Sequence, residues 1–165
     1  MPEYTVYYQS QVGLLKIIGT ELAIQRIEFV DTQPDHNPTE SGQLPPVISA
    51  CIAQLEAYFR GQLQQFSLPL APHGTEFQQS VWHELVNIPF GQTISYLEIA
   101  RRIGNEKAIR AVGAANGQNP IVIVIPCHRV IGSNGQLTGY GGGLWRKAWL
   151  LNHEKSLTSP QLSLF

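Results

Sequence analysis

Cysteine is scarce in this chain: 165 residues hold two, Cys51 and Cys127. Two thiols cannot build a disulfide framework, and with no Cys/His quartet around them they cannot close a zinc site. A reducing compartment, the cytoplasm, is therefore expected. Charge is also sparse, at 14% of residues, but 43% are apolar, the balance of a folded domain rather than a disordered one. No apolar run approaches the ~18 residues that span a membrane. The opening residues, Met1 to Thr5, lack the basic and apolar regions of a secretory signal. No glycine-rich phosphate loop follows a strand, and no internal repeat is present. No cofactor, metal or nucleotide is expected.

The net charge of −1 hides an asymmetry. Residues 1–73 carry three basic against seven acidic side chains, and residues 74–165 carry eight against five. Positive charge gathered in one half is the footprint of a phosphate-binding surface. It is a modest one, so affinity for nucleic acid should be moderate and salt-sensitive.

In the first half, Tyr4–Gln9, Gly13–Gly19 and Leu22–Val30 predict three strands in an antiparallel meander. Asp31–Gln43 is a loop by composition. Val47, Cys51, Leu55 and Phe59 recur at helical spacing, which predicts an amphipathic helix over Pro45–Arg60 with Cys51 on its core face. Gln62–Pro72 reads as a short strand and a linker.

The second half opens on a capping box, Thr75-Glu76-Phe77-Gln78, with a helix expected to about Val86. Ser95-Tyr96-Leu97-Glu98 is another, opening a short helix that Gly104 closes. Asn105 can cap a third, Glu106–Asn116. Two short helices across a glycine turn make either a helix-turn-helix or an ordinary helical hairpin. Arg101, Arg102, Lys107 and Arg110 favour the former. Ser133-Asn134-Gly135 marks a turn, Gly141-Gly142-Gly143 a flexible run that lets a ligand approach the backbone, and Leu144–Glu154 a last helix. The expected organisation is a domain over 1–73, a second over 74–155 and a frayed tail over 156–165.

The chain centres on Ile121-Val122-Ile123-Val124-Ile125-Pro126-Cys127-His128-Arg129. Five β-branched residues predict a buried strand that Pro126 stops. Cys127 then emerges beside two basic residues. Neighbouring cations lower a thiol's pKa and make it nucleophilic; a buried, inert cysteine ending a core strand is the other reading.

Pro126-Cys127-His128-Arg129-Val130 resembles the signature of the O6-alkylguanine-DNA alkyltransferases. The likeness extends from about Gly74 to Glu154 through Phe77-Gln78, Val81-Trp82, Ile88-Pro89, Ser95-Tyr96, Arg110-Ala111-Val112-Gly113, Asn119-Pro120 and Gly139-Tyr140. Residues 1–73 carry no matching motif. The resemblance implies an α/β fold: a small ribonuclease H-like domain, then a winged-helix-like, helix-turn-helix domain. It implies irreversible, single-turnover transfer of a methyl or other alkyl group from O6-alkylguanine, and from O4-alkylthymine, in double-stranded DNA to Cys127, without a cofactor. His128 matches the base that deprotonates the thiol through a water, and Glu154 the acid that orients the histidine; on position alone Glu154 could equally be a surface carboxylate. Asn119 matches the hinge residue of the cysteine loop, and Tyr96 the tyrosine that assists rotation of the extruded base. Arg110 matches the arginine that fills the vacated stack, on a helix that enters the minor groove with Ala111 beside it. Gly141 and Gly142 fall in the DNA-contacting glycine run, where relatives carry Ala or Ser at the first position. Arg129 is expected in a structural ion pair. A monomer is expected.

Two other classes compete. An inert alkyl-lesion sensor would share the DNA-binding half but lack a reactive cysteine. A cysteine hydrolase would need an oxyanion hole that no segment advertises. The last five residues, Gln161-Leu162-Ser163-Leu164-Phe165, resemble the pentapeptide that docks bacterial repair proteins on the replicative sliding clamp; a plain apolar tail is the alternative.

Overall fold

Alternation in the first thirty residues builds a sheet with one buried face. The computed structural model describes residues 1–33 and 43–158. Strands β1 (Tyr4–Ser10), β2 (Gly13–Gly19) and β3 (Ile24–Val30) form an antiparallel meander in the order β1-β2-β3. The register pairs Val6 with Ile17 and Ile17 with Ile27, so these apolar residues stack across one face. Helix α1 (Pro46–Phe59) begins with proline in its first turn, where a missing N–H costs nothing. It buries Ile48, Cys51, Leu55, Tyr58 and Phe59, each large side chain contributing about 1.5–3 kcal/mol. Cys51 is a core residue, as its spacing predicts. The loop expected over Asp31–Gln43 lies largely outside the described residues.

The outer edge of β3 is covered by two short segments. Ile24 donates to the Pro69 carbonyl and accepts from Ala71, and Ile27 donates to Pro120 and accepts from Val122. Residues 62–72 thus supply one isolated bridge at Leu70 rather than the strand expected there. Pro120–Val122 belong to this first unit, with residues 1–73. Short pairings of this kind close an edge that would otherwise invite association.

The second unit holds Gly74–Asn119 and the chain from Ile123 onward. Helix α2 (Glu76–Val86) starts on the predicted capping box, with Thr75 and Gln78 bonded reciprocally. The two-residue strand β4 (Ile94–Ser95) leads into α3 (Tyr96–Arg102), capped by Ser95 accepting from the Glu98 amide. This second box is only half made, because the Glu98 carboxylate turns to Arg102 at 3.2 Å. Gly104 takes φ +82° in the turn, a conformation that favours glycine. Asn105 then caps a 3₁₀ turn, Glu106–Ala108, which continues as α4 (Ile109–Gly117). Trp82 fixes α2 to α4 by donating its indole N–H to the Ala115 carbonyl at 2.8 Å.

The strand expected over Ile121–Ile125 does not form. These residues are buried as predicted except for half-buried Val122, but Ile123 sits at φ +74° and breaks the ladder. A β-branched residue there is strained by about 1–3 kcal/mol. Ile121 and Val122 satisfy their backbone on Ile27 of β3, and the pairing stops there. After it, Cys127–Arg129 form a 3₁₀ turn, and β5 (Val130–Ile131) pairs in parallel with β4, a sheet the sequence did not announce. The Ser133–Gly135 turn forms with Gly132 donating to Gln136 at 3.0 Å. Helix α5 runs over Leu144–Thr158, so the frayed tail expected from residue 156 does not start there. The pentapeptide Gln161–Phe165 lies outside the described residues. Among the described residues no helix is long and apolar enough to cross a membrane.

Candidate active site

Three chain segments of the second unit converge on Cys127. The turn that begins at Cys127 presents the thiol, His128 and Arg129, all buried. The end of α4 and the residues after it supply Asn116 and Asn119. The inner face of α5 supplies Lys147 and Glu154, both with no exposure to solvent.

Asn119 donates its amide N–H to the Ile125 carbonyl at 2.7 Å and hydrogen-bonds the Cys127 thiol as well. It therefore spans the strained turn at Ile123 and the sulfur. Asn116 donates to the Cys127 carbonyl at 3.3 Å. Nothing in its neighbourhood of small residues flagged Asn116 in the sequence.

Glu154 is no surface carboxylate. One oxygen lies 2.6 Å from His128 Nε2, and Arg129 donates to both oxygens, from Nε at 2.8 Å and from Nη2 at 3.0 Å. The Gly91 amide adds a bond at 3.1 Å, and Arg129 Nη1 reaches the Ile88 carbonyl at 2.6 Å. Arg129 thus makes the ion pair expected of it. Burial alone would raise the Glu154 pKa. The hydrogen bond from His128, and the hydrogen bonds and charge of Arg129, outweigh it and hold the carboxyl well below the usual carboxylate range.

His128 goes the other way. Its burial, aided by Arg129 and Lys147, lowers the ring pKa against the opposing pull of Glu154. A neutral ring beside an ionised carboxylate must donate from Nε2, since a carboxylate only accepts. Nδ1 then carries the lone pair. That atom is buried, with no hydrogen-bond partner among the described residues. The arrangement is an imidazole base with its tautomer fixed from behind.

The thiol departs from the expectation that basic neighbours would activate it. Burial pushes Cys127 up to about 11, against smaller lowering effects from the Asn119 hydrogen bond and the Lys147 charge. His128 and Arg129 follow the cysteine in sequence but spend their side chains on Glu154. At neutral pH the resting group is a thiol, and a base must take its proton before it can act as a nucleophile.

Lys147 is a second residue that sequence reasoning missed. It donates from Nζ to the Val130 carbonyl at 2.6 Å and to Thr138 at 2.9 Å, and lies 5.9 Å from the Tyr96 ring centroid. Its position on the helical face shared with Leu150 and Glu154 was the available signal. Tyr96 accepts a hydrogen bond from the Thr138 hydroxyl at 2.9 Å. Burial, and then the nearby Cys127, push the Tyr140 pKa well above its ordinary value.

Arg110 and Ala111 stand apart from this cluster, exposed on α4. Gly141 is exposed and Gly142 half-buried. Of the basic residues credited to the helix pair, Arg101 and Arg102 are engaged with Glu106 and Glu98 at 3.0 and 3.2 Å, so less free charge faces outward than the sequence suggested. Among the described residues no cluster of His, Cys, Asp and Glu is arranged to hold a metal ion.

A two-part chain whose second part buries a cysteine against an Asn, a tautomer-fixed His and an ionised Glu defines a cysteine-nucleophile protein. Comparison with known proteins narrows this. The profile described as 6-O-methylguanine DNA methyltransferase, DNA binding domain, matches residues 76–156, and that described as the ribonuclease-like domain of the same proteins matches residues 4–72. The chain is 47% identical over 156 residues to the methylated-DNA–protein-cysteine methyltransferase of Mycolicibacterium paratuberculosis, covering 94% of each. It is 61% identical over 155 residues to that of Methanosarcina mazei, covering 92% of this chain and 98% of the other. The crystal structure of Mycobacterium tuberculosis O6-methylguanine methyltransferase superposes with a TM-score of 0.83 at 43% identity, covering 99% of each chain. The chain belongs to the 6-O-methylguanine DNA methyltransferase family. It has that family's two-domain α/β fold, an N-terminal sheet domain and a C-terminal helical domain.

The charge on Glu154 yields a pH signature. Its folded pKa lies below the unfolded value of about 4.3. Its contribution to stability is therefore complete above that value and is lost as pH falls through the folded pKa. Glu154→Gln should cost about 3–5 kcal/mol at pH 7 by leaving Arg129 buried without its counter-charge. In urea unfolding across a pH series, the gap between wild type and variant should narrow below about pH 4. Parallel curves would mean that Glu154 is not held ionised.

Proposed function

We propose that this chain repairs alkylated DNA by moving the alkyl group of O6-alkylguanine, and of O4-alkylthymine, onto Cys127, once per molecule. The observation that carries the reading is the pairing of a protonated, buried thiol with a neutral His128 whose Nε2 is fixed on Glu154. Only the substrate's arrival makes the proton transfer worthwhile, so the thiol stays quiet until then.

The chemistry balances without a cofactor. His128 Nδ1 takes the Cys127 proton through a bridging water. The thiolate attacks the alkyl carbon, a carbon–sulfur bond forms and the carbon–O6 bond breaks. Guanine leaves and recovers the proton. The thioether has no route back to thiol, which makes the protein a single-turnover methylated-DNA–protein-cysteine S-methyltransferase. Lys147 and Asn119 favour the thiolate by charge and hydrogen bond.

A base inside a duplex cannot reach a buried sulfur, so it must be extruded at a cost of a few kcal/mol. Arg110 occupies the space it leaves, and Tyr96 assists its rotation. Helix α4 suits the minor groove. Ala111 and Ala114 are exposed on it, and a Cβ on Gly113 or Gly117 would meet nothing within 4 Å among the described residues, so the helix presents a low surface to a groove about 6 Å wide. That groove carries a degenerate code, which fits scanning for damage in any sequence. A similar structure is that of Mycobacterium tuberculosis OGT in complex with DNA, with a TM-score of 0.81 at 45% identity, covering 99% of this chain and 98% of that one. The protein acts as a cytoplasmic monomer. Its last five residues, Gln161–Phe165, dock on a replicative sliding clamp through three apolar anchors.

Intact and peptide mass spectrometry after mixing with duplex DNA carrying O6-methylguanine tests the reading. A gain of one methylene on the Cys127 peptide, stoichiometric with protein, is expected. Binding to the lesion without a mass gain would make the chain a damage sensor instead. For the tail, deletion of Gln161–Phe165 should abolish capture by immobilised clamp; unchanged capture would remove that assignment.

A further inference from the structure

Two amide side chains, one in the last turn of α4 and one just after it, hold the carbonyls on either side of Pro126. Asn119 donates to the Ile125 carbonyl at 2.7 Å, and Asn116 donates to the Cys127 carbonyl at 3.3 Å. Asn116 is buried, at 3% exposure. Its Nδ2 must be the atom that faces Cys127, because a carbonyl oxygen only accepts. Oδ1 is then an acceptor turned away from that carbonyl. It is buried, and no donor meets it among the described residues. Burying an acceptor without a donor is costly, so Oδ1 marks a place where a donor belongs.

A second acceptor of the same cluster is in the same condition. His128 Nδ1 carries the ring lone pair and is buried without a donor among the described residues. The two acceptors are tied through one peptide group, since the carbonyl that Asn116 holds belongs to the bond joining Cys127 to His128. The residue that ties them also carries a donor, its thiol. Asn119 gives the sulfur a hydrogen bond, which leaves the thiol hydrogen to be directed elsewhere.

A water molecule is the complement of this set. It offers two hydrogens and accepts a third bond, and buried waters make about three hydrogen bonds. Its two hydrogens match Asn116 Oδ1 and His128 Nδ1, and its oxygen matches the Cys127 S–H.

We propose that Asn116 is a positioning residue for the proton transfer: its Oδ1 takes one hydrogen of the water between Cys127 and His128, which leaves the other aimed at Nδ1. The inference rests on the alkyl-transfer reading above and adds a residue to it. The thiol proton passes to the water oxygen as the aimed hydrogen passes to Nδ1. The water is regenerated, and the sulfur keeps the electron pair that attacks carbon. The amide oxygen also stabilises the positive charge that the water carries midway. Without Oδ1 the water turns freely, and its hydrogen is no longer held on the line of transfer.

The charged and titratable groups that bear on Cys127 and His128 are Tyr140, Arg129, Lys147 and Glu154. Asn116 is neutral, so replacing it leaves them in place. The test follows single-turnover transfer from duplex DNA carrying O6-methylguanine as a function of pH, in wild type and in Asn116→Leu, a variant of similar volume. The wild-type rate should stay level from about pH 7 to about pH 9, with neutral His128 as the base throughout. Asn116→Leu should be about a hundredfold slower at about pH 7. It must draw on thiolate formed by hydroxide, so its rate should climb about tenfold per pH unit and approach wild type by about pH 9. Equal slowing at every pH would make Asn116 a clamp on the turn and nothing more, and would overturn the proposal, as would an unchanged rate. A high-resolution crystal structure of the wild-type protein decides the matter even if the variant fails to fold. A water bonded to Asn116 Oδ1, His128 Nδ1 and Cys127 Sγ is expected, and a water on His128 that does not touch Oδ1 overturns the proposal. Failure of the wild-type protein to transfer methyl overturns the alkyl-transfer reading and this inference together.

Discussion

A single buried carboxylate organises the site. Glu154 is shared by His128 and Arg129 and receives the Gly91 amide, so three separate stretches of chain meet on two oxygen atoms. Such a cluster is costly to bury and keeps its place only because every lone pair is used. Its return is orientation. With Arg129 neutralising the charge, Glu154 stays ionised, and an ionised Glu154 dictates which nitrogen of His128 bears the proton.

The same burial that fixes the base also restrains the nucleophile. Cys127 is kept a thiol by its surroundings, which protects it from oxidation and stray alkylation, since the thiolate is the reactive form. A protein proposed to act once per molecule gains from spending its cysteine only on the right substrate. Asn119 and Lys147 offset part of the burial, so that deprotonation by a nearby base remains within reach. The strained Ile123 lies between Asn119 and Cys127 and is bridged by the Asn119–Ile125 bond.

Much of this was legible in the sequence because it was encoded locally. The capping box at Thr75, the Ser95 cap, the glycine stop at Gly104 and the alternation of β1–β3 each depend on residues within one element. The likeness around Cys127 added Asn119, His128 and Glu154, and the geometry brings these three together. What escaped was encoded across elements. Five β-branched residues read as a strand, yet their partners lie on β3 and force a turn at Ile123. The ion pair expected of Arg129 forms, but its partner, Glu154, is 25 residues away along the chain and no local pattern names it. Lys147 has no motif, and only the packing of α5 reveals that it is buried against Val130 and Thr138. The β4–β5 pairing involves two residues on each side, too few to leave a periodic signal.

The central claim is that burial keeps His128 neutral and that Glu154 fixes its proton on Nε2 and its lone pair on Nδ1. Nitrogen-15 NMR of the imidazole in the free, full-length protein reads this directly. The account predicts a protonated Nε2 and an unprotonated Nδ1 throughout the neutral pH range, with the preference lost in Glu154→Gln. An imidazolium at neutral pH, or a proton on Nδ1, would contradict it and leave Cys127 without its base.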